Sequence, residues 1–157
     1  MIIRVFDERD TQAVLALWAQ AFPEYATPGK PQRDPRLSIR NKLAMQPEFF
    51  FVGMLEERLI GKVMTGYDGH RRWLYSLSVA TDQRGNGYGR ALVEHAECAL
   101  ASIGCPKLNL QIMANKPETQ AFYAKLGYQM DEVLSAVQIR DIRDIRDTTK
   151  KRRRWVA

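Results

Sequence analysis

The residues with the clearest chemistry in this sequence lie between positions 77 and 89. The run Val79-Ala80-Thr81-Asp82-Gln83-Arg84-Gly85-Asn86-Gly87-Tyr88-Gly89 follows an alternating apolar segment and leads into a helical pattern. Glycines at 85, 87 and 89 remove side chains where a backbone must approach a ligand closely or adopt positive φ. Unbonded N–H groups at a helix start, together with the helix dipole, make such a turn an anion site best suited to phosphate. The spacing Gly-x-Gly-x-Gly is not that of a dinucleotide-binding fingerprint, and the Gly-Lys-Ser/Thr of a P-loop is missing. Taken alone, the turn also reads as a tight helix opening with no ligand.

Other reactive side chains are scattered. Cys98 and Cys105 fit no metal-ligand or redox spacing, and buried or idle thiols are expected. His70 falls in an Asp68-Gly69 turn, where an exposed histidine is the plain reading, and His95 falls mid-helix at the surface. Neither has a Cys or His cluster beside it, so no metal site is expected.

The elements that must position these groups follow from periodicity. Ile2, Ile3, Val5 and Phe6 predict a first strand. A helix follows, capped by Asp7 or Asp10, with Val14, Leu17, Trp18 and Ala21 on one face. Pro23 to Pro35 reads as a loop, and Asp34-Pro35 opens a second helix through Met45. This region is either a substrate wall or an ordinary connector. Phe49 to Leu55 and Leu59 to Met64 predict adjacent antiparallel strands turned by Glu56-Glu57-Arg58. Trp73 to Val79 forms the next strand, with Trp73, Tyr75, Leu77 and Val79 on one face.

After the glycine turn the period changes. Leu92, Ala96, Ala99, Leu100 and Ile103 repeat at helical spacing, and Gly104 ends that helix. Leu108, Leu110 and Ile112 alternate as a strand, Pro117 to Leu126 predicts a helix ended by Gly127, and Tyr128 to Ile139 can hold one or two closing strands. An antiparallel meander followed by strand, helix and strand predicts an α+β sandwich whose later half is a βαβ unit.

The chain has 157 residues, 45% of them hydrophobic and 27% charged, ordinary values for one globular domain. The opening Met1 to Asp7 is too short and too soon charged for a signal peptide, and no apolar run approaches the roughly 20 residues of a membrane span. A cytoplasmic protein without membrane attachment is expected. The net charge of +6 is concentrated in residues 140–157, where eight Lys or Arg face three Asp. The remaining residues hold 16 basic and 15 acidic side chains, a difference of one. A basic face for duplex binding is therefore not expected, and Lys150 to Arg154 reads as a solvated tail.

Arg84-x-x-Gly87-x-Gly89, following a strand that ends Leu77-Ser78-Val79, resembles the acetyl-CoA signature of the GNAT superfamily of N-acetyltransferases. Asn115 to Tyr128, ending Ala121-Phe122-Tyr123-Ala124-Lys125-Leu126-Gly127-Tyr128, is similar to the family's second motif. Gly66-Tyr67-Asp68-Gly69-His70-Arg71 is similar to the same segment in a small bacterial acetyltransferase subgroup. The order of elements fits the family across residues 1 to about 139, giving a domain over 1–139 and a basic tail over 140–157.

The resemblance implies an α/β/α sandwich around a mixed, mostly antiparallel sheet in which a parallel pair splays apart at the CoA site. It implies acetyl-CoA as co-substrate, with Leu77, Ser78 and Val79 along the pantetheine arm and Arg84, Gly85, Asn86, Gly87, Tyr88 and Gly89 around the pyrophosphate. Tyr123 would protonate the departing thiolate. Asn115 stands one residue further from Tyr123 than the family's pantetheine-binding asparagine usually does. Tyr75 occupies a strand position where a glutamate base is frequent, so base duty falls to water, Asp68 or His70, or to no side chain when the amine arrives neutral.

The expected activity is direct transfer of acetyl to a primary amine, on a small molecule or a peptide. The missing glutamate motivates an alternative, a CoA-binding sensor without catalysis. A nucleic-acid role through the basic tail is a third reading. Many relatives are dimers, which leaves a homodimer open.

Overall fold

The structure is a computed structural model and describes residues 1–23, 34–101, 103, 104 and 107–133. The Pro-rich segment 24–33, Cys105, the closing-strand segment past 133 and the tail 140–157 lie outside the described residues. The chain divides into two units, Met1–Phe122 and a second beginning at Tyr123.

Among the described residues of the first unit, five strands are ordered as in the sequence: β1 (Ile2–Val5), β2 (Phe50–Leu55), β3 (Arg58–Tyr67), β4 (Arg72–Val79) and β5 (Leu108–Asn109). The first four pair antiparallel, while β5 joins β4 in parallel. Helix α1 (Thr11–Ala21) follows β1, and α2 (Pro35–Met45) precedes β2. Between β4 and β5 runs α3 (Tyr88–Ala101), completing the predicted βαβ unit, and α4 (Pro117–Lys125) comes last. None of the described helices is long and apolar enough to cross a membrane.

Local chemistry explains these boundaries. Asp7 caps a short 3-10 turn, Glu8–Asp10, in a capping box that leads directly into α1. The Asp10 carboxylate also takes paired bonds of 2.6 and 2.8 Å from Arg4, tying that turn to β1. Asp34 accepts from the Arg36 N–H at the start of α2, with Pro35 as first helical residue. The β2–β3 hairpin turns at Glu56, which takes a φ of 53°.

Strand alternation divides the core between the two sheet faces. Phe50, Val52 and Met64 pack with Val14 and Trp18 of α1 and Ile39 of α2, and Phe6 stacks on Phe50 at 4.3 Å. On the opposite face, Leu92, Val93, Ala96 and Leu100 are the buried stripe of α3. A β-carbon on Gly61 would lie 2.7 Å from Leu92 Cδ1, so the absence of a side chain there lets α3 lie close on β3.

Three details differ from what the sequence pattern predicts. Leu110 and Ile112 do not extend β5, which ends at Asn109. His95 is half-buried, its ring edge-on to Phe51 at 4.7 Å, because its helical position faces the sheet. Residues 128–133, the described part of the predicted closing segment, form no strand among the described residues. Cys98 is a free, exposed thiol on α3.

In the second unit, α4 finishes in a Schellman-type cap. The Tyr128 N–H donates to the Tyr123 carbonyl at 3.1 Å and the Gly127 N–H to Ala124 at 3.0 Å, with Gly127 at φ 90°.

Candidate active site

The site begins with an irregularity in β4. Its register against β3 shifts, with Lys62 opposite Ser78 and Met64 opposite Tyr75, so that Ser76 and Leu77 together face Val63. This is a β-bulge, and Ser76 within it takes a left-handed φ of 59°. The uniform face expected for Trp73, Tyr75, Leu77 and Val79 is therefore interrupted after Tyr75.

Beyond the bulge one edge of β4 is open. β5 pairs only with Arg72 and Trp73, so among the described residues no strand bonds to Leu74–Val79 on that side. The Ala80 N–H donates to the Ile60 carbonyl at 2.8 Å. Alternation then directs the Val79 N–H, and the Leu77 N–H two residues earlier, to the open edge. Leu77 and Val79 are half-buried there, and Ser78 is buried. An extended chain could add to this edge through backbone bonds.

The strand runs into the glycine turn through a 3-10 turn, Thr81–Gln83. Paired bonds of 2.6 and 2.9 Å between Arg58 and Asp82 tie this turn to the start of β3 and hold the Asp82 carboxyl at about 2. Gly85 and Gly87 have φ of 83° and 81°, and a β-carbon on either would meet nothing within 4 Å. Backbone conformation, not space, calls for glycine at these two positions. Gly89 differs: a β-carbon there would stand 3.3 Å from Phe122 Cζ.

The Asn86 side chain donates to the Gln83 carbonyl and the Arg84 guanidinium to the Val79 carbonyl, each at 3.3 Å. These two bonds brace the turn from outside. Helix α3 begins its bonding with the Ala91 N–H to the Gly87 carbonyl at 3.1 Å, which leaves the preceding amides outside the helical ladder. Residues 84–87 are exposed, while Tyr88 and Gly89 are half-buried. The structure thus supplies an exposed arc of backbone donors at the positive end of a 14-residue helix, adjoining the open strand edge.

The remaining predicted residues fall in three places. Tyr75 is on β4 before the bulge, 42% exposed, with burial of the rest of its phenol raising the pKa. Asp68 and His70 occupy the β3–β4 turn, at the opposite end of β4 from the glycines. The Asp68 carboxylate accepts the N–H groups of His70 and Arg71 at 2.8 and 2.6 Å and the Trp73 indole at 2.7 Å. These donors hold it at about 2, so it shapes the turn and is a weak base. Asn115 is exposed in the turn that precedes α4. Tyr123 opens the second unit, only 5% exposed, edge-on to Tyr128 at 5.3 Å. Burial raises its pKa, which keeps the phenol protonated at neutral pH.

Two lysines were missed by sequence reasoning. Lys42 of α2 is 5% exposed, donates to the Thr65 carbonyl at 2.5 Å, and lies 5.8 Å from the centroid of the Tyr75 ring. Desolvation, partly offset by Glu48, lowers its pKa to about 8. A β-carbon on Gly66 would lie 2.6 Å from Gln46 Oε1, 3.4 Å from Lys42 Nζ and 3.5 Å from the Tyr75 hydroxyl oxygen, so these groups converge on the backbone at Gly66. The available signal was spacing, since Lys42 stands three residues after buried Ile39 on the same helix face. The second is Lys62, fully buried between Ile60 and Met64 of β3.

The family model described as Acetyltransferase (GNAT) family matches residues 12–128. An acetyltransferase of Yersinia enterocolitica is 37% identical over 134 residues, covering 85% of this chain and 92% of its own. One from Sodalis glossinidius is 36% identical over 144 residues, covering 92% and 98%. In fold, the chain is similar to the PaiA N-acetyltransferase of Thermoplasma acidophilum, solved in complex with coenzyme A. The TM-score is 0.69 at 15% identity, with 85% of this chain and 92% of that one covered. The mixed sheet, with one parallel pair among the described residues, is the architecture that the GNAT resemblance implied. The chain belongs to the acetyltransferase (GNAT) family and is an acetyl-CoA-dependent acyltransferase.

Proposed function

We propose that the protein moves the acetyl group of acetyl-CoA to a primary amine by direct attack. The observation that carries this reading is the open β4 edge leading through one short 3-10 turn into the glycine turn. The pantetheine arm, which bears amides, adds to the edge at Leu77 and Val79, with Ser78 between them and Asn115 as a further contact. The pyrophosphate lies on the amides of residues 85–89, next to Arg84, whose own N–H is given to the Thr81 carbonyl at 3.4 Å.

The amine nitrogen forms a bond to the thioester carbonyl carbon, whose oxygen gains charge and accepts from the Leu77 N–H. The carbon–sulfur bond then breaks, and the thiolate takes the Tyr123 phenol proton. Tyr123 recovers its proton from solvent, to which the new amide nitrogen has released one. Asp68, saturated by three donors, does not serve as base in this scheme. The amine arrives neutral or gives its proton to water. No covalent enzyme intermediate is involved.

Thiol release from acetyl-CoA against a panel of primary amines, with the product identified by mass, tests this reading. Amine-dependent release supports it. A second reading, a CoA-binding regulatory protein, draws on Tyr75 standing where a glutamate base is frequent, since its raised phenol pKa makes it no base at neutral pH. CoA binding without turnover on any amine would favour that reading.

A further inference from the structure

Lysine is almost never fully buried unless it is paired. Lys62 is 0% exposed on a β3 face that it shares with Ile60 and Met64. Burial pushes its pKa well below the ordinary lysine value, so the position carries a cost in stability. Its ammonium has three donors. Nζ lies 2.6 Å from the Ser76 carbonyl oxygen and 2.8 Å from the Ser76 hydroxyl, and 3.6 Å from the centroid of the Trp18 ring. Both hydrogen bonds go to the bulge residue with the left-handed φ.

The Ser76 carbonyl belongs to the same peptide group as the Leu77 N–H. In a trans peptide the two point in opposite directions. Lys62 therefore grips one end of this peptide from inside the core while the other end faces the open β4 edge. A charged or polar donor on a peptide oxygen strengthens the hydrogen bond that the peptide nitrogen gives.

We propose that Lys62 is a positioning residue for acetyl transfer, holding and polarising the Ser76–Leu77 peptide so that its N–H meets the thioester oxygen as charge develops there. The inference rests on the acetyl-transfer reading and assigns that reading's oxyanion donor a partner within the core. Removing an oxyanion donor outright costs roughly 100- to 1000-fold in turnover. Loss of its polarisation alone is expected to cost about tenfold.

The sequence holds a single Ser–Leu pair, Ser76-Leu77. Isotope labels on serine carbonyl carbons and leucine amide nitrogens therefore give one correlated NMR signal, that of the Leu77 amide. The probes are CoA and acetonyl-CoA, a ketone that keeps the acetyl carbonyl and cannot be cleaved. In the unsubstituted protein, acetonyl-CoA is expected to shift the Leu77 proton further downfield than CoA does. In Lys62→Met and Lys62→Gln that extra shift should fall by at least half and kcat should drop about tenfold, with CoA affinity held within about twofold.

Variants that keep the full extra shift and the full kcat overturn the role of Lys62. Loss of CoA affinity in step with kcat overturns it as well, since a merely structural lysine would behave in that way. If CoA binds and the unsubstituted protein shows no extra shift, the proposal fails at Leu77. An intact shift with no acetylation of any amine sinks the transfer reading and leaves the Lys62 contact standing. Should both variants fail to fold, the Ser76 carbonyl-carbon shift of the unsubstituted protein decides. A downfield value supports the contact, and an ordinary strand value contradicts it.

Discussion

Gly89 lies against the Phe122 ring so closely that a β-carbon on the glycine would stand 3.3 Å from Cζ and 3.4 Å from Cε2. The first turn of α3 and the helix that carries Phe122 meet at a residue without a side chain. The third glycine of the turn thus serves packing, whereas Gly85 and Gly87 serve backbone conformation.

That division predicts two kinds of defect. Gly89→Ala asks the tip of the Phe122 ring to give way by a few tenths of an ångström and should cost at most about 1 kcal/mol of stability. Gly87→Ala places a β-carbon in open space at a φ of 81°, at roughly 1–2 kcal/mol of local strain. The Gly87 variant should lose proportionally more CoA affinity than stability, because the turn opens to relieve the strain. Urea unfolding with and without CoA measures both effects. Equal losses of affinity and stability in the two variants would remove the distinction.

Much of this architecture was legible in the sequence because single residues force it. The Asp68-Gly69 turn, the glycines with positive φ at 85, 87, 104 and 127, and the antiparallel pairing of the apolar runs β2 and β3 all stand where expected. The bulge at Ser76 was hidden, since a serine at φ 59° is set by a two-against-one count opposite Val63 and has no local signature. Lys62 and Lys42 were hidden for a related reason. A lysine in an alternating strand or on an amphipathic helix reads as solvent-facing, and only Trp18, Thr65 and Ser76 in three dimensions make burial tolerable. His95 is a milder case of the same kind, a polar residue expected at the surface that tertiary packing turns onto Phe51.

Lys42 should leave a trace in the pH dependence of stability. Burial lowers its folded value to about 8 from 10.5, so the unfolded chain holds the extra proton between these limits. Stability therefore rises with pH across that window and is lost as the pH falls through about 8. Lys42→Met removes this contribution and leaves that of Lys62 in place. The unsubstituted protein should gain steadily on Lys42→Met in unfolding midpoint as the pH rises from about 8 to 10.5. Parallel curves would show that Lys42 ionises as freely in the folded chain as in the unfolded one.

Asp68 predicts the opposite limb. Its three donors depress the folded value from 3.8 to about 2, so its stabilisation is complete above the ordinary carboxylate range and disappears as the pH falls toward 2. Asp68→Asn should flatten the acid limb between those values relative to the unsubstituted protein, with amine acetylation retained at neutral pH. An activity loss of about a hundredfold in that variant would instead assign Asp68 the part of base.

Proton delivery to the CoA thiolate by Tyr123 during transfer to an amine is put to the test by Tyr123→Phe. The measurement is single-turnover release of CoA thiol from acetyl-CoA with an accepted amine, alongside the equilibrium affinity for CoA. Chemistry is expected to slow by about a hundredfold or more while CoA affinity changes less than about twofold. Unchanged single-turnover rates in Tyr123→Phe would contradict it.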